Sequence, residues 1–451
     1  SGADVSRVDL SGATFVKVTF SGVCGDTTVM RETTFIDITF GPSDKLFPST
    51  LHECSFENCD LNGYDFSGQT LHTGLWPKDP VDLSGKRVGV IGTGSSGVQA
   101  IPELAQQADE LYVMQRSPVF TVPANRKAMR PEVEQVFKEN YRVIREMQQK
   151  NPGGVSNFRP SQAKAAAPTK SEPRLIKNLS ADERRARIRQ HGLNDLLTYR
   201  DVYTDIEANN IANDLFADEI RNLVADPETA EGLVPRGYGI GCKRQVLDRD
   251  YYDTFNRNNV TLIDLRDDPI ERITKTGIRT AKQNIELDVI VFATGFDAMT
   301  GALTKANITG RDGLKLSEKW QYGPQAFLGL QVAGFPNLFT VTGPGSPSVL
   351  CNMLIAIEQH IDWIGDCMIH LRSNNIAGIE AREEAELEWI QHVNEVAEGT
   401  MYTTPSCNSW YLGANIPGKP RIFMPYVGGY PRYKQRCDDA AASGYSEFTL
   451  F

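Results

Sequence analysis

Hydrophobic positions recur along this chain with more than one period, and each period predicts a different kind of structure. Over the first 66 residues the period is five. Leu10, Phe15, Phe20, Met30, Phe35 and Phe40 share one register, while Phe56, Leu61 and Phe66 share a second, one residue out of step. Two positions before most of them stands a small or β-branched residue: Val8, Ala13, Val18, Thr28, Thr33, Ile38, Cys54 or Cys59. Such regularity predicts a repeat rather than a plain meander of strands. From residue 87 the pattern changes. Val88, Val90 and Ile91 form a β-branched run, Gly92, Gly94 and Gly97 follow, and Val98, Ala100, Ile101, Leu104 and Ala105 continue at helical intervals. A second strand is predicted over Leu111 to Arg116. Val133, Val136, Phe137, Tyr141, Ile144 and Met147 mark a helical insertion, and residues 151–174, rich in Pro, Ala, Ser and Lys, read as a mobile loop. Ile206, Ile211, Leu215, Phe216, Ile220 and Leu223 form a core-facing stripe. A buried strand is predicted over Asp288 to Phe292, and amphipathic helices over about Leu350 to Leu371 and Glu380 to Glu398.

The strand, glycine turn, helix and second strand at residues 87–116 carry the first candidate chemistry. Gly92-Thr93-Gly94-Ser95-Ser96-Gly97 is a G-x-G-x-x-G spacing in the context a dinucleotide needs. Gly92 permits the tight turn, Gly94 lets a pyrophosphate reach the backbone, and Gly97 lets helix and strand pack closely, with the first helical amides aimed at the phosphates. An NAD site would place Asp or Glu after the second strand. This chain has Arg116 and Ser117, a guanidinium and a hydroxyl suited to a 2′-phosphate, which predicts NADPH.

Just before this unit, Phe66, Gly68, His72, Trp76 and Pro77 match the F-x-G-x-x-x-H-x-x-x-W-P fingerprint of type I Baeyer–Villiger monooxygenases. Read without the family, His72 and Trp76 are a strand-edge pair. The resemblance runs from Asp65 to Phe451 and is nearest to phenylacetone and steroid monooxygenases. It implies that Lys243 joins Arg116 on the 2′-phosphate and that Arg244 is the active-site arginine. It further implies that Ala293 and Thr294 of the ATGFD motif lie at a cofactor, that Gly343-Pro344-Gly345 faces the flavin and substrate, and that Trp410 anchors a loop over the nicotinamide. In that family NADPH reduces FAD, O₂ forms a flavin C4a-peroxide, and a ketone becomes an ester or lactone. The family's first G-x-G-x-x-G, which holds FAD, has no counterpart in residues 1–64. Those residues resemble the pentapeptide-repeat family instead, a right-handed β-solenoid with one large and one small inward residue per side. A second expectation arises from this: an NADP-binding chimera or fusion, catalytically impaired, whose solenoid is a protein-interaction module.

The expected architecture is therefore α/β. A β-solenoid occupies residues 1–64, and a Rossmann-type NADP domain occupies 65–288 with its insertion at about 126–235. The C-terminal part of an FAD and substrate domain spans 289–451. Composition narrows the partners. A net charge of −10 argues against nucleic acid and anionic membrane, and no apolar run is long enough to span a bilayer. Residues 1–64 are themselves acidic, with nine Asp/Glu against four Lys/Arg. Eight cysteines without metal spacing predict reduced thiols, a cytoplasmic protein and no metal site.

Overall fold

The computed structural model describes residues 66–124, 128–156, 158, 174–296, 298–413 and 421–451, and the backbone of five short strands before them. The chain forms two compact units. One comprises residues 1–125, 173–296 and 416–418, the other 126–172, 297–415 and 419–451.

The five short strands are β1 (Thr14–Val16), β2 (Thr19–Phe20), β3 (Thr34–Ile36), β4 (Thr39–Phe40) and β5 (Ser55–Glu57). β1, β3 and β5 pair in parallel, with Phe15 beside Phe35 and Phe35 beside Phe56. β2 and β4 pair the same way, Phe20 beside Phe40. Four pentads separate the strands of each first pair, and one further residue separates β3 from β5, the same single step that divides the two hydrophobic registers. The inward side chains expected of the repeat lie outside the described residues.

The first unit is built on β6 (Gln69–His72), β7 (Arg87–Ile91), β8 (Glu110–Gln115), β11 (Val260–Asp264) and β15 (Val289–Phe292). They form one parallel sheet in the order β11-β8-β7-β15-β6. Val88, Val90, Leu111, Val113, Val289, Ile290 and Val291 are buried, as a sheet covered on both faces requires. Helix α1 (Ser95–Gln107) connects β7 to β8 and buries Val98, Ile101, Leu104 and Ala105, the positions its period selects. At the sheet's opposite rim Arg87 pairs with Asp288 at 3.2 Å and Glu286 at 2.6 Å. Two smaller sheets complete this unit. β9 (Thr121–Pro123) pairs in parallel with β10 (Val246–Asp248), and β12 (Ile270–Thr274), β13 (Gly277–Thr280) and β14 (Asn284–Glu286) form an antiparallel trio. The helix Ala181–His191 starts at a Ser180–Glu183 capping box, and Ile206–Leu223 starts at the Asp205 carboxylate. Phe216 and Ile220 of the predicted stripe are buried. Ile206 is 58% exposed, because it occupies the first turn, before the helix reaches the core.

The second unit is mainly helical, with helices Pro131–Glu139, Tyr141–Lys150, Met353–Ser373, Glu383–Ala397 and Tyr430–Ala442. The helix expected from Leu350 begins at Met353, since Ser348–Leu350 forms a separate 3₁₀ turn and Asn352 caps the α-helix after it. The helix expected from Glu380 begins at Glu383, because β16 (Ile379–Ala381) pairs with β17 (Phe448–Leu450) and extends that backbone. Cys351, Cys367 and Cys437 are free and buried. Cys242 and Cys407 are disulfide-bonded, which corrects the expectation of reduced thiols for those two. Among the described residues no helix is long and apolar enough to cross a membrane.

Candidate nucleotide-binding site

The glycine turn joins the carboxyl end of β7 to α1, where ligands of parallel α/β sheets are held. Gly92 has φ of 104°, and a Cβ there would stand 2.6 Å from the Ala293 carbonyl oxygen at the end of β15. A Cβ on Gly97 would stand 2.2 Å from the Gly92 carbonyl oxygen. Both positions are closed to any side chain. Gly94 is the reverse: exposed, with nothing among the described residues within 4 Å of where a Cβ would stand, so its backbone is open to an approaching group. It is also the N-cap of α1, and among the described residues no side chain caps its first-turn amides. Ser95 is exposed and Ser96 half-buried beside them. Thr93 is buried, and its hydroxyl donates to the Ser117 carbonyl at 3.1 Å, tying the turn to the end of β8.

Arg116 follows β8 directly and is exposed, making no hydrogen bond or ion pair among the described residues. The segment 241–245 runs beside it for a definite reason. β9 and β10 pair in parallel, and Gln245 Nε2 donates to the Phe120 carbonyl at 2.8 Å, so the loops entering those strands lie side by side. Asn209, fully buried, holds the second loop from behind through the Ile240 carbonyl at 2.7 Å, and Asn213 accepts from Ile240 N at 3.1 Å. Lys243 is half-buried, its Nζ 4.3 Å above the Tyr238 ring. Burial first, and then the charge of Arg116, pull its ammonium down to about 8. Two cations that repel each other beside an exposed helix N-terminus are suited to an anion. Arg244, next in sequence, is exposed.

The remaining predicted residues divide between the two units. Ala293 is buried against the glycine turn, with Thr294 exposed after it. Asp297, the last residue of ATGFD, lies outside the described residues. Of the fingerprint, Phe66 is half-buried against the sheet's smaller core, Gly68 precedes β6, and His72 ends it, aligned with Phe292. His72 Nδ1 accepts the Gly74 amide at 3.1 Å, and its ring meets Phe296 edge-on at 5.7 Å. Burial lowers its pKa. Trp76 is 40% exposed and Pro77 is exposed. These residues border the sheet and make none of the contacts that hold Lys243. In the second unit, Gly345 donates to Met424 O at 2.7 Å and accepts from Trp389 Nε1 at 3.1 Å. Trp410 is half-buried against Tyr411, and residues 414–420 of its loop lie outside the described residues. Sequence reasoning missed Tyr238. A lone tyrosine five residues before a lysine carries no signal until the fold stacks them.

No protein-family model matches the chain. Among curated proteins, acetone monooxygenase (methyl acetate-forming) of Gordonia sp. (strain TY-5) is 36% identical over 393 residues, covering 86% of this chain and 71% of the relative. Cyclohexanone 1,2-monooxygenase of Acinetobacter sp. is 36% identical over 392 residues, covering 85% and 69%. Among solved structures, oxidized steroid monooxygenase bound to NADP superposes with a TM-score of 0.77 at 40% identity, over 92% of this chain and 74% of the other. OTEMO, solved in complex with FAD and NADP, gives 0.77 at 33% identity over 92% and 75%. Identity of this order over more than two thirds of each curated relative settles the family: the chain is a member of the Baeyer–Villiger monooxygenases.

Proposed function

We propose that the protein is an NADPH- and FAD-dependent monooxygenase that converts ketones to esters or lactones. The observation that carries this reading is the pairing of an open glycine turn with two cations, Arg116 and Lys243, on loops held together by β9 and β10. The residues present fit NADPH. The Gly94 backbone and the α1 amides would take the pyrophosphate, and Arg116, Ser117 and Lys243 the 2′-phosphate. For FAD the fit is partial. Ala293 and Thr294 lie at the end of β15, but residues 92–97 are the one G-x-G-x-x-G in the chain. No step is therefore derived through the flavin.

When bound, the nicotinamide supplies a hydride and the flavin activates O₂. The chain itself supplies position and charge. Arg244 would hold the negative charge that develops on the reacting oxygen of the ketone. Such a cation contributes roughly 3 kcal/mol to a transition state only where water is excluded, so the exposed Arg244 would reach that figure once the bound cofactors and ketone cover it. The acidic first 64 residues would form a short parallel solenoid, for which the pentad offsets of β1, β3 and β5 are the support, and its surface could serve a protein partner. Cytoplasmic residence is part of the same proposal.

The alternative reading is an NADP-binding protein without oxygenation. One experiment separates the two. The purified chain is given FAD, NADPH, O₂ and a cyclic ketone, and lactone is measured by gas chromatography. Lactone formed in step with NADPH oxidation supports the monooxygenase. NADPH binding with no lactone at saturating FAD supports the second reading.

A further inference from the structure

Arg116 and Lys243 carry like charges on long side chains, so something other than their mutual interaction must hold them at a spacing that fits one phosphate. Tyr238 touches both sides of that problem. Its ring lies under Lys243 Nζ at 4.3 Å, where the electron-rich face attracts an ammonium. Its hydroxyl donates to the carbonyl oxygen of Pro118, two residues past Arg116. Its ring edge meets Phe120, at a centroid distance of 5.5 Å, just before β9. We propose that Tyr238 is the positioning residue that sets the preference for a 2′-phosphorylated dinucleotide, by holding Lys243 and the Arg116 loop at one spacing. The inference rests on the NADPH reading above.

Two further features bear on it. Burial pushes the Tyr238 phenol well above its usual range, so it remains a hydroxyl donor at any pH the protein meets. The loop backbone is held independently by Asn209 and Asn213, so removing the ring need not release residues 240–243. The ring also takes part in the desolvation of Lys243. Among the described residues, Arg116 is the charged group that acts on that ammonium. Burial and the Arg116 charge lower the free Lys243 ammonium to about 8, and a dianionic 2′-phosphate beside it would favour the protonated form.

The test titrates the wild-type chain, Tyr238→Leu and Tyr238→Phe by calorimetry with NADPH, NADH, 2′-AMP and AMP at pH 7 and pH 9. The expected result for Tyr238→Leu is at least a tenfold loss of NADPH and 2′-AMP affinity with NADH and AMP unchanged. The wild-type weakening of NADPH between pH 7 and pH 9 should also shrink, because a solvated lysine titrates higher. Tyr238→Phe keeps the ring, and hence the pH dependence, but loses several-fold in NADPH affinity through the untied Arg116 loop. Equal loss for all four ligands, or none, would overturn the proposal. If Tyr238→Leu does not fold, Tyr238→Phe decides alone: NADPH and NADH affinities both unchanged would overturn it. A wild-type chain that binds 2′-AMP no better than AMP would instead bring down the NADPH reading itself.

Discussion

Gly94 and Gly97 lie three residues apart and serve different needs, and single substitutions separate them. At Gly97 a methyl group would enter the Gly92 carbonyl, so Gly97→Ala must push α1 away from β7 and should cost more than about 2 kcal/mol in urea unfolding. At Gly94 the same methyl group meets empty space at an ordinary φ of −71°, so Gly94→Ala should leave stability within about 0.5 kcal/mol. It should still weaken NADPH at least tenfold, because the methyl group would occupy the place proposed for the pyrophosphate. A large stability loss in Gly94→Ala, or full NADPH affinity, would contradict this division. Asp248 gives a pH prediction. Burial, as the largest cause, raises its carboxyl to about 6, and its Oδ2 has no hydrogen-bond partner among the described residues. A folded pKa above the unfolded value near 3.8 means that stability falls as pH rises from about 4 to about 6, by at most about 3 kcal/mol. Asp248→Asn keeps the Oδ1 that accepts from Tyr251 N and removes that loss. Unfolding midpoints should therefore diverge from wild type between pH 4 and pH 7, with the variant the more stable at pH 7. Parallel curves would refute the assignment.

At the scale of elements, the sequence is most legible where one local rule sets the outcome. The β7–α1–β8 unit follows from a β-branched run, three glycines and a 3.6-residue period, and every residue buried on α1 lies on the face that period marks or is a small residue beside it. The boundaries at Leu350 and Glu380 shift because their causes are tertiary. A 3₁₀ turn consumes Ser348–Leu350, and the partner that makes Ile379–Ala381 a strand lies at the far end of the chain, at Phe448–Leu450. The cations were legible as a phosphate preference only at Arg116, which follows a strand. Lys243 needed the family resemblance, because a Lys-Arg pair alone is usually a solvated surface. Its neighbourhood to Arg116 depends on β9 pairing with β10 across more than a hundred residues, which no local window contains. This element-level cause also has a test. Gln245→Ala removes the side-chain bond from the second loop to the Phe120 carbonyl. It should lower NADPH affinity several-fold while leaving NADH unchanged, and equal effects on both cofactors would refute the link.

For the whole molecule, the net charge of −10 would repel an anionic cofactor, yet the site proposed for it is locally cationic. Salt separates these fields, since charges beyond roughly 8–10 Å are screened at physiological ionic strength. If Arg116 and Lys243 dominate, raising salt weakens NADPH more than NADH; if the overall charge dominates, salt strengthens both. The most direct test of the central claim, that residues 92–97 with Arg116 and Lys243 seat a phosphorylated nicotinamide cofactor, is calorimetric titration of the purified chain with NADPH and NADH. The account predicts saturable NADPH binding at least tenfold tighter than NADH, with the difference abolished in Arg116→Ala. No heat on adding NADPH, or a preference that survives Arg116→Ala, would contradict it.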